Sequence, residues 1–180
     1  MIVIGLVPLA CTDLSDYDHD RVSDALSDSL LSVTESRHIE MNIIDDEVKT
    51  VTLFAPIAIT YTKDRETETH LKDSVLVLVR DSLGTVHTRV SSMEARYIGN
   101  RSEFHFHDEV VVESDDQRTL YTDYLKWSHQ SRSIETPDFV IVVTESDSIT
   151  GYGLQGSDDL LEYTLFEVTG EFSLEQNPKD

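Results

Sequence analysis

Beyond Ile39 apolar and polar residues alternate with a period of two, the spacing of strands that bury one face. Val75, Val77 and Val79 take one parity and Leu76 and Leu78 the other, and Arg80-Asp81-Ser82-Leu83-Gly84 then supplies a turn. Phe104 and Phe106 alternate with His105 and His107, which puts two aromatic rings on one face and two imidazoles on the opposite one. No long amphipathic helical stretch interrupts the region. The pattern predicts an all-β domain of short strands joined by polar turns.

A segment of about 30 residues also recurs within the chain. Ala95 and Tyr97, Arg101 to Phe106, and Val110 to Glu113 correspond, at a shift of 30, to Leu125 and Trp127, Ser131 to Thr136, and Val140 to Val143. A looser copy precedes them, with Ala58 and Tyr61 ahead of Val75, Val77 and Val79; a last one ends in Tyr163, Leu165, Val168 and Gly170. Each unit reads as a hairpin with one apolar face. A single hairpin cannot bury that face alone, so the units are expected to stack into a rolled sheet with a continuous interior.

The ends of the chain have a different character. Residues 1–10 are apolar and run into Leu9-Ala10-Cys11, after which Thr12, Asp13 and Asp16 turn the chain polar. This resembles the apolar core and cleavage site of a bacterial lipoprotein signal, in which Cys11 becomes the lipidated first residue of the mature protein. No basic residue precedes the run, and Pro8 stands where a leucine is usual. Ten apolar residues are about half of what a membrane-spanning helix needs. The plain alternative is a greasy first strand with an idle cysteine. Residues 11–37 read as a polar tether, in which Val22, Leu26, Leu30 and Val33 allow one short helix. Residues 38–175 form the predicted domain and 176–180 a polar tail.

Composition narrows the functional classes. The chain of 180 residues carries 35 acidic and 14 basic residues, a formal charge of −21. Such a charge repels phosphate backbones and provides no Lys/Arg cluster for counterion release, which excludes nucleic acid as a partner. It also suits concentrated salt, where a Debye length of about 3 Å at 1 M screens self-repulsion. The lone cysteine excludes an internal disulfide.

Motifs for chemistry are weak. Gly151-Tyr-Gly153-Leu-Gln-Gly156 has the letters of a dinucleotide fingerprint but lacks the helix and βαβ unit around it, so the glycines are assigned to a turn that needs positive φ or close packing. Asp16, Asp18 and Asp20 begin like a calcium loop without its glycine or final glutamate. His105, His107 and Asp108 fall short of a zinc ligand set, and the histidines are expected to face solvent. No nucleophile elbow or triad is present, so no enzymatic activity, cofactor or metal is expected.

Several of these segments together resemble one family. Arg118-Thr119-Leu120-Tyr121-Thr122 with Leu125 and Trp127, then Ser148-Ile149-Thr150-Gly151-Tyr152-Gly153-Leu154, Asp158, Leu160, Tyr163 and Val168-Thr169-Gly170, resemble LptC, the periplasmic component of the lipopolysaccharide export machine. The resemblance covers roughly residues 38–172. It implies a β-jellyroll of repeated hairpins rolled into an open V-shaped groove that takes lipopolysaccharide acyl chains. It further implies attachment to the inner membrane, contact with the inner-membrane transporter subunits, and delivery to an LptA-like bridge protein by edge-to-edge strand pairing. A lipobox-like Cys11 in place of an N-terminal membrane helix departs from the family.

Parity in the repeat selects the inward residues: Val75, Val77, Tyr97, Phe104, Phe106, Val110, Val112, Leu125, Trp127, Ile134, Val140 and Val142. These are the candidates for the lipid groove, or equally for the closed core of a β-sandwich. The resemblance favours the groove. Unpaired edges are then expected at the strand carrying Ile39, Met41 and Ile43, toward the transporter, and at the strand carrying Leu165, Val168 and Phe172, toward the bridge protein. Two other readings stay open: a soluble LptA-like bridge protein, and a closed secreted β-sandwich that binds carbohydrate or serves structure.

Overall fold

The structure is a computed structural model that describes residues 31–173 apart from 46, 47 and 65. Eleven strands form one antiparallel sheet: β1 (Ser32–Asp45), β2 (Val48–Lys63), β3 (Glu66–Lys72), β4 (Val75–Arg80), β5 (Val86–Ser92), β6 (Glu94–Ile98), β7 (Glu103–Ser114), β8 (Thr119–Ser128), β9 (Ser133–Val143), β10 (Asp147–Ser157) and β11 (Tyr163–Ser173). Apart from a single 3-10 turn, Gly99–Arg101, the described chain has no helix.

The strand order follows the chain. β2 pairs with β3 through Ile57–Lys63 and with β4 through Val51–Phe54. β7 likewise pairs with β6 through Glu103–His107 and with β5 through Val111–Ser114. β4 pairs with β5 and β3 with β6. Thus β3 and β4 are two halves of one strand, as are β5 and β6, and the eleven segments make nine crossings of a simple meander.

Each crossing is broken near its middle. Pro56, which cannot donate to a ladder, stands between the two pairings of β2. Asp73 and Ser74 take φ of 66° and 76°, Asp108 and Glu109 of 61° and 53°, and Gly153 of 72°. Left-handed backbone of this kind is the geometry of a bulge or sharp bend, and Asp, Ser and Gly accept it more readily than branched residues. Hydrogen bonds from Ser74 N to Met93 O (3.1 Å) and from Met93 N to Asp108 O (2.9 Å) link neighbouring breaks. The breaks line up as a crease.

Folding about that crease gives two layers. The first holds β3, β6 and the adjoining halves of β2 and β7 to β11; the second holds β4, β5 and the other halves. A flat strand of eleven residues would hold its two ends about 36 Å apart. Instead His129, in the turn that ends the first layer, lies 2.8 Å from Asp45, at the far end of the second. The sheet is therefore rolled onto itself, as the pattern of apolar hairpins predicted.

The interior is a single buried cluster. Its rungs run across the sheet: Leu53, Val77, Val90, Val112, Leu120 and Val142 in the second layer, and Tyr97, Phe104, Trp127 and Ile134 in the first. The 30-residue repeat has its cause here. Tyr97 and Trp127 flank Phe104, and Val110 and Val140 flank Thr122, so one up-and-down excursion returns the chain to the same rung. In the looser copy Ala58 is buried, whereas Tyr61 packs edge-on against His70 and so does not continue the inward parity.

β1 begins at Ser32, inside the stretch read from sequence as tether, because Ser32–Arg37 pair with Ile57–Thr62 of β2. Polar residues suffice there, since that part of the strand is exposed. Val33 lies in this strand and not in a helix. Cys11, the Asp16–Asp20 stretch, Val22, Leu26, Leu30 and the 176–180 tail lie outside the described residues.

Candidate lipid groove

Every inward residue chosen by parity lies in the space between the layers. Val75, Val77, Phe104, Phe106, Val110, Val112, Leu125, Trp127, Ile134, Val140 and Val142 are no more than 1% exposed, and Tyr97 is half-buried against them. Phe104 stacks between Tyr97, at 4.5 Å, and Trp127, at 5.0 Å, with Phe106 at 5.9 Å. Offset aromatic stacking of this kind holds the rings beyond their area burial. The trough is thus filled by its own side chains.

The two layers supply different material. Among the described residues all nine buried valines (Val51, Val75, Val77, Val79, Val90, Val110, Val112, Val140 and Val142) lie in the second layer, and the three buried aromatics (Phe104, Phe106 and Trp127) in the first. β-Branched residues fit a pleated surface with one rotamer, giving a low, even wall. The rings of the other wall provide the volume that fills the gap.

Opposite the crease the turns of the two layers meet along a mouth, and polar side chains bridge it. Thr88 of the second layer donates its hydroxyl to the Asp158 carbonyl at 3.0 Å. Arg118 donates to the carbonyls of Leu160 (2.7 Å) and Leu161 (3.0 Å). The Asp158 carboxylate, buried at 3% exposure, accepts from Trp127 Nε1 and from Arg132, both at 3.3 Å. Farther along, His129 contacts Asp45, and Thr50 donates to the same carboxylate at 3.1 Å. The hydrogen bond from His129 holds the Asp45 carboxyl below its ordinary range. Beside these bridges lies an open cleft of about 790 Å³ with Arg80 and Asp81 on one lip and Gln130, Arg132 and Asp158 on the other.

Sequence reasoning did not assign these mouth residues a role. Arg118, Asp158 and Leu160 were visible as part of a family pattern, but nothing in a linear order brings Thr88 to Asp158, 70 positions away.

Both outer strands leave one side unpaired among the described residues: β1 pairs only with β2, and β11 only with β10. Ile39, Met41 and Ile43 turn toward the core and are partly buried, as is Leu165, whereas Val168 is 56% exposed. Phe172 pairs through its backbone with Ser148. The Gly151–Gly156 stretch is not a turn but part of β10, although its glycines meet both conditions foreseen for them. A Cβ at Gly151 would strike the Glu167 carbonyl of β11, and Gly153 takes a positive φ. His107 faces solvent, but His105 does not: its side chain is 13% exposed, with Nδ1 2.8 Å from the Tyr124 hydroxyl, because Tyr124 of β8 folds over it. Burial, aided by the nearby Arg96 charge, pushes the His105 imidazole below its ordinary pKa.

An antiparallel meander creased into two layers and apolar within is a β-jellyroll-like fold. The chain belongs to the LptC-related lipopolysaccharide-assembly family, whose model matches residues 24–172. Its role therefore lies in lipopolysaccharide transport. Proteins of this family are periplasmic transport components held at the inner membrane. A comparison with curated protein sequences found no match. Among the described residues no helix is long and apolar enough to cross a membrane.

Proposed function

We propose that this chain holds the acyl chains of lipopolysaccharide between its two layers and passes them from the inner-membrane transporter subunits to an LptA-like bridge protein. The observation that carries the reading is the unbroken interior. Apolar rungs run from β2 to β9, and among the described residues the sheet that bears them ends in an unpaired edge on either side. An acyl chain of about twelve carbons gains about 10 kcal/mol on burial, at roughly 0.8 kcal/mol per CH₂, so the lipid needs no specific bond to be held. In the resting state the wall side chains occupy that space, and loading is their displacement.

The first edge, at Ile39, Met41 and Ile43, meets the transporter; the last, at Leu165, Val168 and Phe172, meets the bridge protein by β-augmentation. Lipidation of Cys11 anchors the domain, with residues up to the start of β1 as the tether. A charge of −21 leaves the lipid phosphates to solvent or to a bridging divalent cation. Retention of lipid that is unaffected by chelator and by magnesium removes the cation.

The test is photocrosslinking in cells. A photoreactive residue at Trp127 or Phe106 is expected to capture lipopolysaccharide, and one at the outward His107 to capture none. Equal capture from inward and outward positions refutes the groove. Loss of membrane retention in Cys11→Ser is the corresponding check on the anchor.

A further inference from the structure

We propose that the loop Asp158–Glu162 is the gate through which acyl chains enter the trough, with Leu160 occupying the place that the first chain takes. The inference rests on the groove reading above and adds the route of loading.

Three observations converge on this loop. Among the described residues, every hydrogen bond that crosses the mouth uses at least one side chain, whereas the crease is joined by backbone ladders and by the Ser74–Met93–Asp108 line. Separating the layers at the mouth therefore breaks side-chain bonds alone. The folded edge has no comparable way to open.

Leu160 is fully buried, although it stands in a five-residue loop and not on a strand. Its φ is 59°, a conformation that an unbranched-at-Cβ but bulky residue adopts only when its surroundings impose it. Those surroundings are the Arg118 guanidinium on its carbonyl and a hydrogen bond from its own N–H to the Ser157 carbonyl at 3.1 Å. Once Arg118 lets go, the strain favours withdrawal of the leucine. What it vacates is a place in the buried apolar cluster that also holds Trp127, whose indole is tied to the same loop through Asp158.

The adjoining cleft completes the route. It opens on the mouth between Arg80 and Arg132, on opposite lips, so a chain entering beside Leu160 leaves its polar headgroup in a hydrated space. The position of Trp127 also makes the gate observable, since it is the chain's one tryptophan and its emission reports the loop directly.

The experiment locks the mouth. In the full chain carrying Cys11→Ser, cysteines replace His87 and Arg132, which face each other across it at 3.5 Å, and a reducible bismaleimide bridges them. Purified lipopolysaccharide is then added; its co-elution with the protein gives uptake, and Trp127 emission gives opening. The locked form is expected to load at least about tenfold more slowly than the same protein after reduction. Arg118→Ala, which frees the loop, is expected to load about tenfold faster than the unmodified chain, as loss of one charge-assisted tie raises the open population. Arg89→Ala, on the outer face, is expected to load at the unmodified rate. Equal uptake with and without the bridge overturns the gate while leaving the groove standing. Failure of every form to retain lipid overturns both.

Discussion

The two walls of the trough differ in a way that bears on stability and, on the groove reading proposed above, on loading. The second layer is lined by valines, whose branched Cβ leaves little freedom to lose and little reach across the gap. The first layer carries the rings of Tyr97, Phe104, Phe106 and Trp127, and these do the reaching. A wall of short, stiff side chains keeps its shape when an occupant arrives; a wall of stacked rings must rotate. On the groove reading proposed above, the valine layer is then the fixed surface and the aromatic layer the moving one.

The strongest way to break this contrast is to delete from each wall in turn. Phe104→Ala is expected to cost about 3–5 kcal/mol, because removal of a buried ring leaves a cavity its neighbours cannot fill. Val112→Ala is expected to cost about 2 kcal/mol, two buried methyl-sized groups plus a smaller void. Denaturant midpoints measure both, and similar costs would erase the distinction between the walls. Addition tests the converse. Val77→Phe is expected to lose about 1–3 kcal/mol by overpacking, since the rings opposite already fill the space. A stabilised Val77→Phe would mean that the trough holds unoccupied volume beside the valines.

Acid sharpens the comparison on the outer face of the aromatic layer. His105 has a pKa below its unfolded value, so the unfolded chain binds the proton first. The stability this imidazole supplies is fully present above about pH 6.5, the ordinary histidine value, and is lost as pH falls from there through its folded pKa. Thermal melts across that range are expected to show the decline, and His105→Gln is expected to flatten it. The smallest effect belongs to Asp45. Its depressed carboxyl pKa stabilises the fold above the ordinary aspartate value, and the contribution disappears only as pH falls through the lower folded value. The side chain is 57% exposed, so Asp45→Asn is expected to change stability by at most about 1 kcal/mol at neutral pH. A larger loss would make this bridge, and not Arg118, the main tie across the mouth.

Period-two alternation was enough to find the strands and the inward residues, because neighbouring residues on a strand point to opposite faces whatever lies beyond. It misled at two kinds of place. Ser32–Arg37 are exposed and, apart from Val33, polar, so nothing in their pattern distinguishes an edge strand from a tether; pairing with β2 decides it. His105 alternates like a solvent residue, but Tyr124, 19 positions on, covers it.

The sequence by itself determined which side of each strand is apolar, the hairpin repeat that sets neighbours side by side, and the acidic surface. These are properties of short stretches, set by side-chain type and spacing. Only the tertiary structure decided where the strands bend, that valines face aromatics, and that Thr88 and Arg118 reach the Asp158–Glu162 loop. Those contacts join residues some 40 to 80 positions apart through the roll of the whole sheet. The geometry of that roll is a sum over all nine crossings and is written in none of them singly.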